Sequence, residues 1–257
     1  NTSVATIGTS GICTGVSSGT SVITYSTGLL CYVTTTVTVV GLFIVGSPVA
    51  VWDMGTQTRV TISTGVSQVT DASGSGHHLL QATALNQPAF INDGGQSYFA
   101  TDGVIGANGD FLQALWTLPQ PCTYIFVARQ HWVNGQSVFG GSSVNTRQLF
   151  QSGSSPTVIL VAALALSPSS IYWTDNTWKV VTIIYNGNSS SITVNDLNRQ
   201  TGNPGSASSG GVTIGRDATD ASTCSAVDVM WWGVWGTSLS TGSQTDMVTN
   251  LRRYKNI

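Results

Sequence analysis

The stretch VTDASGSGHHLLQATALNQPAF (69–90) sets one aspartate, Asp71, ahead of two adjacent histidines, His77 and His78, inside a glycine-serine turn. Aspartate, histidine and a nearby serine are the residue types of acyl transfer, where the imidazole takes the serine proton and the carboxylate orients the ring. That chemistry needs the serine on a sharp strand-to-helix turn, and Gly-x-Ser-x-Gly spacings occur here only where both residues abound. Retaining glycoside hydrolysis asks instead for two carboxyls about 5.5 Å apart on one face. All eleven acidic residues are aspartate, with no glutamate anywhere. The closest loop pair is Asp102 and Asp110, and neither sits at i, i+2 or i+4 of an alternating strand. No catalytic residue is therefore assigned, and the chain is expected not to be an enzyme.

Binding is the better-supported chemistry. Sugars stack on exposed aromatic faces with amides and hydroxyls alongside. Trp132, in RQHWVNGQ, stands on an expected loop beside His131 and Asn134, and Tyr172 with Trp173, in SSIYWTDN, is a second candidate. Trp52, Trp178, Trp231 and Trp235 lie in strand patterns and are expected in the core. Asp71, Asp102, Asp110, Asp217 and Asp220 fall on loops, but no Asp-x-Asp-x-Asp cluster gathers them. One structural calcium is the most to expect, and no other cofactor. Cys13, Cys31, Cys122 and Cys224 lack Cys-x-x-Cys spacing, which argues against zinc. Two disulfides, in any of three pairings, or four buried thiols stay open as readings.

Charged residues make up 8% of the chain and the net charge is −2, against the basic stripe that nucleic acid demands. The one cationic cluster, Arg252, Arg253 and Lys255, reads as a helix C-terminus, where positive side chains offset the dipole. The longest apolar run, VTVVGLFIVG (37–46), is short of the roughly 20 residues a membrane span needs. Neither nucleic acid nor a membrane is an expected partner.

The elements that would position these residues are strands. Residues 1–48 form a Ser/Thr/Gly tract followed by alternating runs, expected as an N-terminal β-rich arm closed by Ser47-Pro48. From residue 49 to 257, short runs such as RVTIS (59–63), CTYIFVARQ (122–130) and WKVVTIIYNG (178–187) recur with turn signals between them. Asn186-Gly187 between two such runs predicts a hairpin. AVDVMWWGVWG (226–236) is apolar on both faces, as a central covered strand would be. One helix follows, with capping-box spacing at Thr241 and Gln244 and Met247, Leu251 and Tyr254 on one face.

VWDMG (51–55), the opening stretch, YFATDG (98–103), TYIFVAR (123–129), VTIGRD (212–217) and the closing VWGTSLS helix follow one another in a recognisable order. Residues 49–257 thereby resemble the concanavalin A-like, laminin G-like domains of bacteriophage structural proteins and bacterial surface proteins. The resemblance implies an all-β, two-sheet antiparallel jelly-roll sandwich with a C-terminal helix. It also implies that the Asp-x-Ser-Gly-x-Gly segment is a tight turn, with Asp71 as a cap residue and Gly74 and Gly76 at positive φ. Hydrolases of this fold use a Glu-x-Asp-x-x-Glu strand, which a chain without glutamate cannot contain, and Trp231 stands about where many relatives carry a glutamate. Lyases of similar fold would draw on Arg129, His131 and Tyr185. The expected function is a non-enzymatic virion structural protein, a capsid decoration or fibre component, whose loops hold host glycans. Its partners would be other virion proteins such as the major capsid protein, in a homo-oligomer such as a trimer on the virion surface. The alternative is a secreted or cell-surface carbohydrate-binding module, with a polysaccharide-degrading domain behind it.

Overall fold

Runs of valine, isoleucine, threonine and aromatic residues at alternate positions pack well on a pleated surface and poorly in a helix. In the computed structural model they form strands almost throughout. The structure describes residues 4–7, 11, 13–15, 19–28, 31–39, 42–131, 137–141, 148–151, 158–162, 164–166, 173, 176–218 and 221–257. The first strands are β1 (Ala5–Ile7), β2 (Cys13–Gly15), β3 (Gly19–Gly28), β4 (Cys31–Val39) and β5 (Ala50–Asp53). Next come β6 (Val60–Ile62), β7 (Val66–Val69), β8 (Leu79–Leu80), β9 (Ala89–Asp93), β10 (Gln96–Ala100) and β11 (Leu112–Ala114). The middle of the chain supplies β12 (Cys122–His131), β13 (Ser137–Gly140), β14 (Gln148–Gln151), β15 (Val158–Val161) and β16 (Ala165–Leu166). The last are β17 (Trp178–Tyr185), β18 (Ser190–Val194), β19 (Leu197–Gly202), β20 (Val212–Ile214) and β21 (Ala226–Trp235).

Among the described residues these assemble into two large antiparallel sheets and two small ribbons. One sheet runs β19-β18-β17-β12-β21-β10-β9, with β5 also on β21, and the other runs β16-β15-β14-β13-β20-β11-β8-β7-β6. The sheets are stacked. Tyr124, Phe126, Val181, Ile183, Val229 and Trp232 of the first meet Val66, Leu79, Leu112, Phe139, Val212 and Ile214 of the second in one fully buried layer. The fold is thus the two-sheet antiparallel sandwich that the resemblance implies.

The first sheet is covered on its outer face too. Ile125, Val127, Trp231 and Trp235 pack there against Met247, Val248 and Leu251 of α1 (Thr241–Lys255). Alternation along β12 sends Tyr124 and Phe126 inward and Ile125 and Val127 outward, which is why both faces of this strand and of β21 are apolar. Where β12 pairs β21 the register slips: Val127 faces Trp231 and Ala128 faces Val229, so Met230 is an extra residue. The bulge puts Met230 and Trp231 side by side on the outer face.

Some local expectations change. The helix cap is Ser240, whose hydroxyl accepts the Ser243 N–H at 3.2 Å, while Gln244 reaches back to the Leu239 carbonyl at 2.7 Å. The cap therefore sits one residue before Thr241, because Ser240 holds the extended conformation a cap needs. Lys255 does not simply solvate the helix end but is buried and paired to Asp53. Asn186-Gly187 joins β17 to β18 through a 3-10 turn, Gly187–Ser189, whose first N–H is held by Gln120 Oε1 at 2.7 Å. The two-residue turn comes later, at Asn195 and Asp196, both left-handed, between Val194 and Leu197. Cys122 and Cys224 are buried and Cys13 is exposed, so four buried thiols is not the arrangement. Among the described residues no helix is long and apolar enough to cross a membrane.

Candidate binding face on the outer sheet

The turn within residues 69–90 is built as a staple. Asp71 is buried, and each carboxylate oxygen takes two donors: Oδ1 the Val51 and Ser73 N–H groups at 2.9 and 2.8 Å, Oδ2 the Ser73 hydroxyl and His77 N–H at 2.8 and 3.1 Å. Burial pushes its pKa up, but those donors outweigh the burial and hold it below 3.8. Gly74 and Gly76 take φ of 88° and 80° with open space around them, so the backbone bend, not crowding, calls for glycine. Further along, Asn86 donates to the Ala107 and Gly109 carbonyls and Gln87 accepts from Gly65 and Ser63, tying the next loop down. His78 Nδ1 accepts the Asp71 N–H at 3.0 Å, which leaves the ring hydrogen of the neutral imidazole on Nε2. The His77 ring stacks on Trp116 at 4.5 Å. Among the described residues neither imidazole has a hydroxyl nucleophile as a hydrogen-bond partner.

A different set of residues converges on the outer face of the first sheet. Antiparallel register aligns Trp178 of β17, Arg129 of β12 and Asp228 of β21 in one row. Arg129 donates to Asp228 Oδ2 from Nε at 2.8 Å and to the Tyr98 hydroxyl from Nη2 at 3.1 Å. Its Nη2 also lies 2.7 Å from Asp228 Oδ2. The guanidinium lies over the Trp178 ring at 4.7 Å and near the Tyr98 ring at 5.3 Å. Burial works against its charge, but the hydrogen bonds and charge of Asp228, with the Tyr98 hydroxyl, outweigh that and hold its pKa above the usual guanidinium value. Two residues along the strand, His131 Nε2 lies 2.8 Å from the same Asp228 oxygen. A carboxylate only accepts, so Nε2 carries the hydrogen and Nδ1 is left as an acceptor when the ring is neutral.

The chemistry of this row is recognition. Asp228 is 4% exposed and committed to Arg129 and His131, which are 24% and 41% exposed at the side chain. Arg129 Nη1 has no partner among the described residues, so the face presents guanidinium donors and an imidazole acceptor beside a half-buried indole. Asp228 and Tyr98 were not singled out from the sequence. The readable signal was Asp228 itself, a lone charge between valines on a central strand, which must find a partner to be buried.

A second carboxylate pair sits on the loop between β10 and β11. Asp102 Oδ1 accepts the Val104 and Asp110 N–H groups at 3.0 and 3.1 Å. Burial first, and then the charge of Asp102, push Asp110 up to about 7. These are the two loop acids that the sequence pairs, brought together through backbone bonds and not on a strand face. Among the described residues no three His, Cys, Asp or Glu side chains converge as metal ligands. Asp217 is buried and Asp220 lies outside the described residues.

Of the two sugar-stacking candidates among the described residues, His131 is on the exposed face and Trp173 is not. Trp132, Asn134 and Tyr172 lie outside the described residues. Trp173 is fully buried between the sheets, 6.0 Å from Phe126, and has no face to offer a sugar. Trp178, expected in the core with Trp52, Trp231 and Trp235, is instead half-buried on the outer face. The two indoles exchange roles, because sequence alternation gives a strand two faces without saying which is open. Tyr185, the third lyase candidate, faces the inter-sheet core, away from Arg129 and His131.

No known protein-family model matches this sequence, and no curated protein matches it either. Solved structures do resemble the fold. The binding domain of botulinum neurotoxin serotype G superposes with TM-score 0.54 at 12% identity, covering 79% of this chain and 50% of that one. A botulinum neurotoxin type C structure gives 0.55 at 13% identity, covering 80% and 51%. Trypanosoma rangeli sialidase gives 0.54 at 11%, covering 81% and 33%. The chain thus spans about half the length of the neurotoxin structures and a third of the sialidase, and what the likeness shows is the shared β-sandwich.

Proposed function

We propose that this chain is a non-catalytic carbohydrate-binding module that works outside the cell, and that glycans bind the outer face around Arg129, His131 and Trp178. The observation that carries the reading is the row Trp178, Arg129, Asp228. A guanidinium is held by a buried carboxylate, over an indole, with its Nη1 donors unpartnered among the described residues. Such pre-ordering lowers the entropy cost of gripping a flexible, strongly hydrated ligand. The comparisons lean the same way. Cell uptake of the type C neurotoxin depends on interaction with two ganglioside molecules, and the sialidase was solved with sialic acid. The low charge and Ser/Thr/Gly-rich composition that suggest a virion shell component suit a secreted binding module equally well. The Asp228 pairing also favours binding over turnover, since the buried carboxylate is engaged by Arg129 and His131 and not offered to a ligand.

The test is a glycan array with the whole chain, followed by titration of any hit. Arg129→Ala should lower affinity for the bound glycan at least tenfold, and Trp178→Ala should do the same with an unchanged far-ultraviolet spectrum. Retained binding in both variants would remove this face from consideration. Slow release of free sugar from the array ligand by the wild-type chain would overturn the non-catalytic part.

A further inference from the structure

The C-terminal helix ends over a second polar hollow, remote in role from the row just described. Lys255 Nζ bonds Asp53 Oδ1 at 2.6 Å, and Tyr254 donates its hydroxyl to Asp53 Oδ2 at 3.2 Å. Both charged residues are more than nine-tenths buried. Gly55 closes one side: its N–H bonds Asp53 Oδ1 at 3.0 Å, and a side chain there would come 3.0 Å from the ammonium. Beside the pair lies a cavity of about 410 Å³ lined by Gly94, Gly95, Gln96, Tyr254, Lys255 and Asn256, among others. Its volume is within the range of roughly 300–1,000 Å³ usual for small-molecule sites.

A buried ion pair that only fastens a helix would have its hydrogen-bonding capacity filled by protein. This one does not. An ammonium has three N–H donors, and Lys255 uses one on Asp53, with the Tyr254 ring 4.8 Å away as its other contact among the described residues. Gln96 spends its amide nitrogen on the Lys255 carbonyl at 3.1 Å, which leaves its carbonyl oxygen as an acceptor. Tyr254 spends its hydrogen on Asp53, which leaves its oxygen as an acceptor, and burial first and Asp53 next push its pKa to about 12, so it stays protonated. The cavity is therefore bordered by two unfilled ammonium donors and two acceptor oxygens around a charge pair that sums to zero.

We infer that this hollow binds a neutral polyhydroxyl ligand, a pair of adjacent sugar or polyol hydroxyls, with Lys255 donating to both oxygens and Gln96 Oε1 and the Tyr254 oxygen accepting their hydrogens. An anion would find the lysine charge already cancelled by Asp53, and a cation would find that carboxylate already filled. The inference adds a second site to the glycan reading and does not depend on it, because none of its residues belongs to the Arg129 row.

The chain has two lysines, Lys179 and Lys255, so their side-chain ammonium signals can be told apart by nitrogen-15 NMR. Titration of the full chain with methyl α-D-glucopyranoside should shift the Lys255 signal saturably in the millimolar range and leave Lys179 still. Tyr254→Phe and Gln96→Leu, which keep the ion pair, should each weaken that response several-fold, while Arg129→Ala should not change it. A Lys255 signal that does not move would overturn the inference, as would one that drifts linearly and equally with glycerol. A stronger response to free sialic acid than to the glucoside would overturn its neutral class. Loss of array binding in Arg129→Ala with the Lys255 response intact separates the two sites.

Discussion

Two loop aspartates of the same sandwich are driven in opposite directions, and the contrast shows what a carboxylate's surroundings decide. Asp71 is buried yet held ionised, because two backbone N–H groups from its own turn, one from β5 and a serine hydroxyl all aim at its oxygens. Asp110 is only half-buried yet pushed up to about 7, because few donors answer its desolvation and Asp102 adds a like charge. Burial raises both. The count of donors aimed at the charged form decides the sign. The first acid closes the sandwich by tying the turn to Val51, whereas the second sits in a loop whose backbone bonds go to its neighbour.

The largest break in that comparison is Asp71→Ala. It strands N–H groups of Val51, Ser73 and His77 and should cost about 3 kcal/mol in urea unfolding at pH 7. The wild-type contribution has a defined window. With the folded pKa below 3.8, its charge-linked part is complete above about 4 and is lost as the pH falls through the folded value, so the gap between variant and wild type should narrow in strong acid.

Asp110→Asn should have a smaller effect of opposite sign. The folded chain holds this proton more tightly than the unfolded chain, whose value is near 3.8, so wild-type stability declines as the pH rises from about 4 through about 7. The asparagine variant, which mimics the protonated acid, should be more stable than wild type at pH 8 and equal to it at pH 4. An unchanged difference across that range would contradict the raised value. The finest adjustment is Asp102→Asn, which keeps an oxygen for the Val104 and Asp110 N–H groups and removes only the charge. The carboxyl titration of Asp110, followed by carbon-13 NMR, should move down from about 7 but remain above 3.8, because burial is the larger cause.

Much of the fold was readable in the residues. The two-sided apolar run around Trp231 foretells a central strand covered on both faces, and β21 is that strand; CTYIFVARQ, read only as a strand, is β12 beside it and is covered on both faces too. The turn chemistry was legible where a residue has one use, as with glycine at positive φ. It was not legible where two turns share a signal: Asn186-Gly187 looks like the tight hairpin, but the tight turn is Asn195-Asp196. Candidate binding residues were harder still. Arg129 and His131 were visible as polar residues at a strand end, while their partners come from strands distant in sequence, Tyr98 of β10 for Arg129 and Asp228 of β21 for both.

The residues by themselves determined the class of architecture and the chemistry it excludes. A chain rich in β-branched and aromatic residues at period two must bury two-faced strands, and a chain without glutamate cannot present a glutamate pair. Only the tertiary structure decided which tryptophan is open, which aspartate is paired and where Lys255 ends. Those outcomes depend on strand register and on the bulge at Met230, which set neighbours across gaps of about a hundred residues or more, as between Arg129 and Asp228. Periodicity assigns a side chain to one of two faces; pairing determines what lies beside it there, and thus whether its charge is answered.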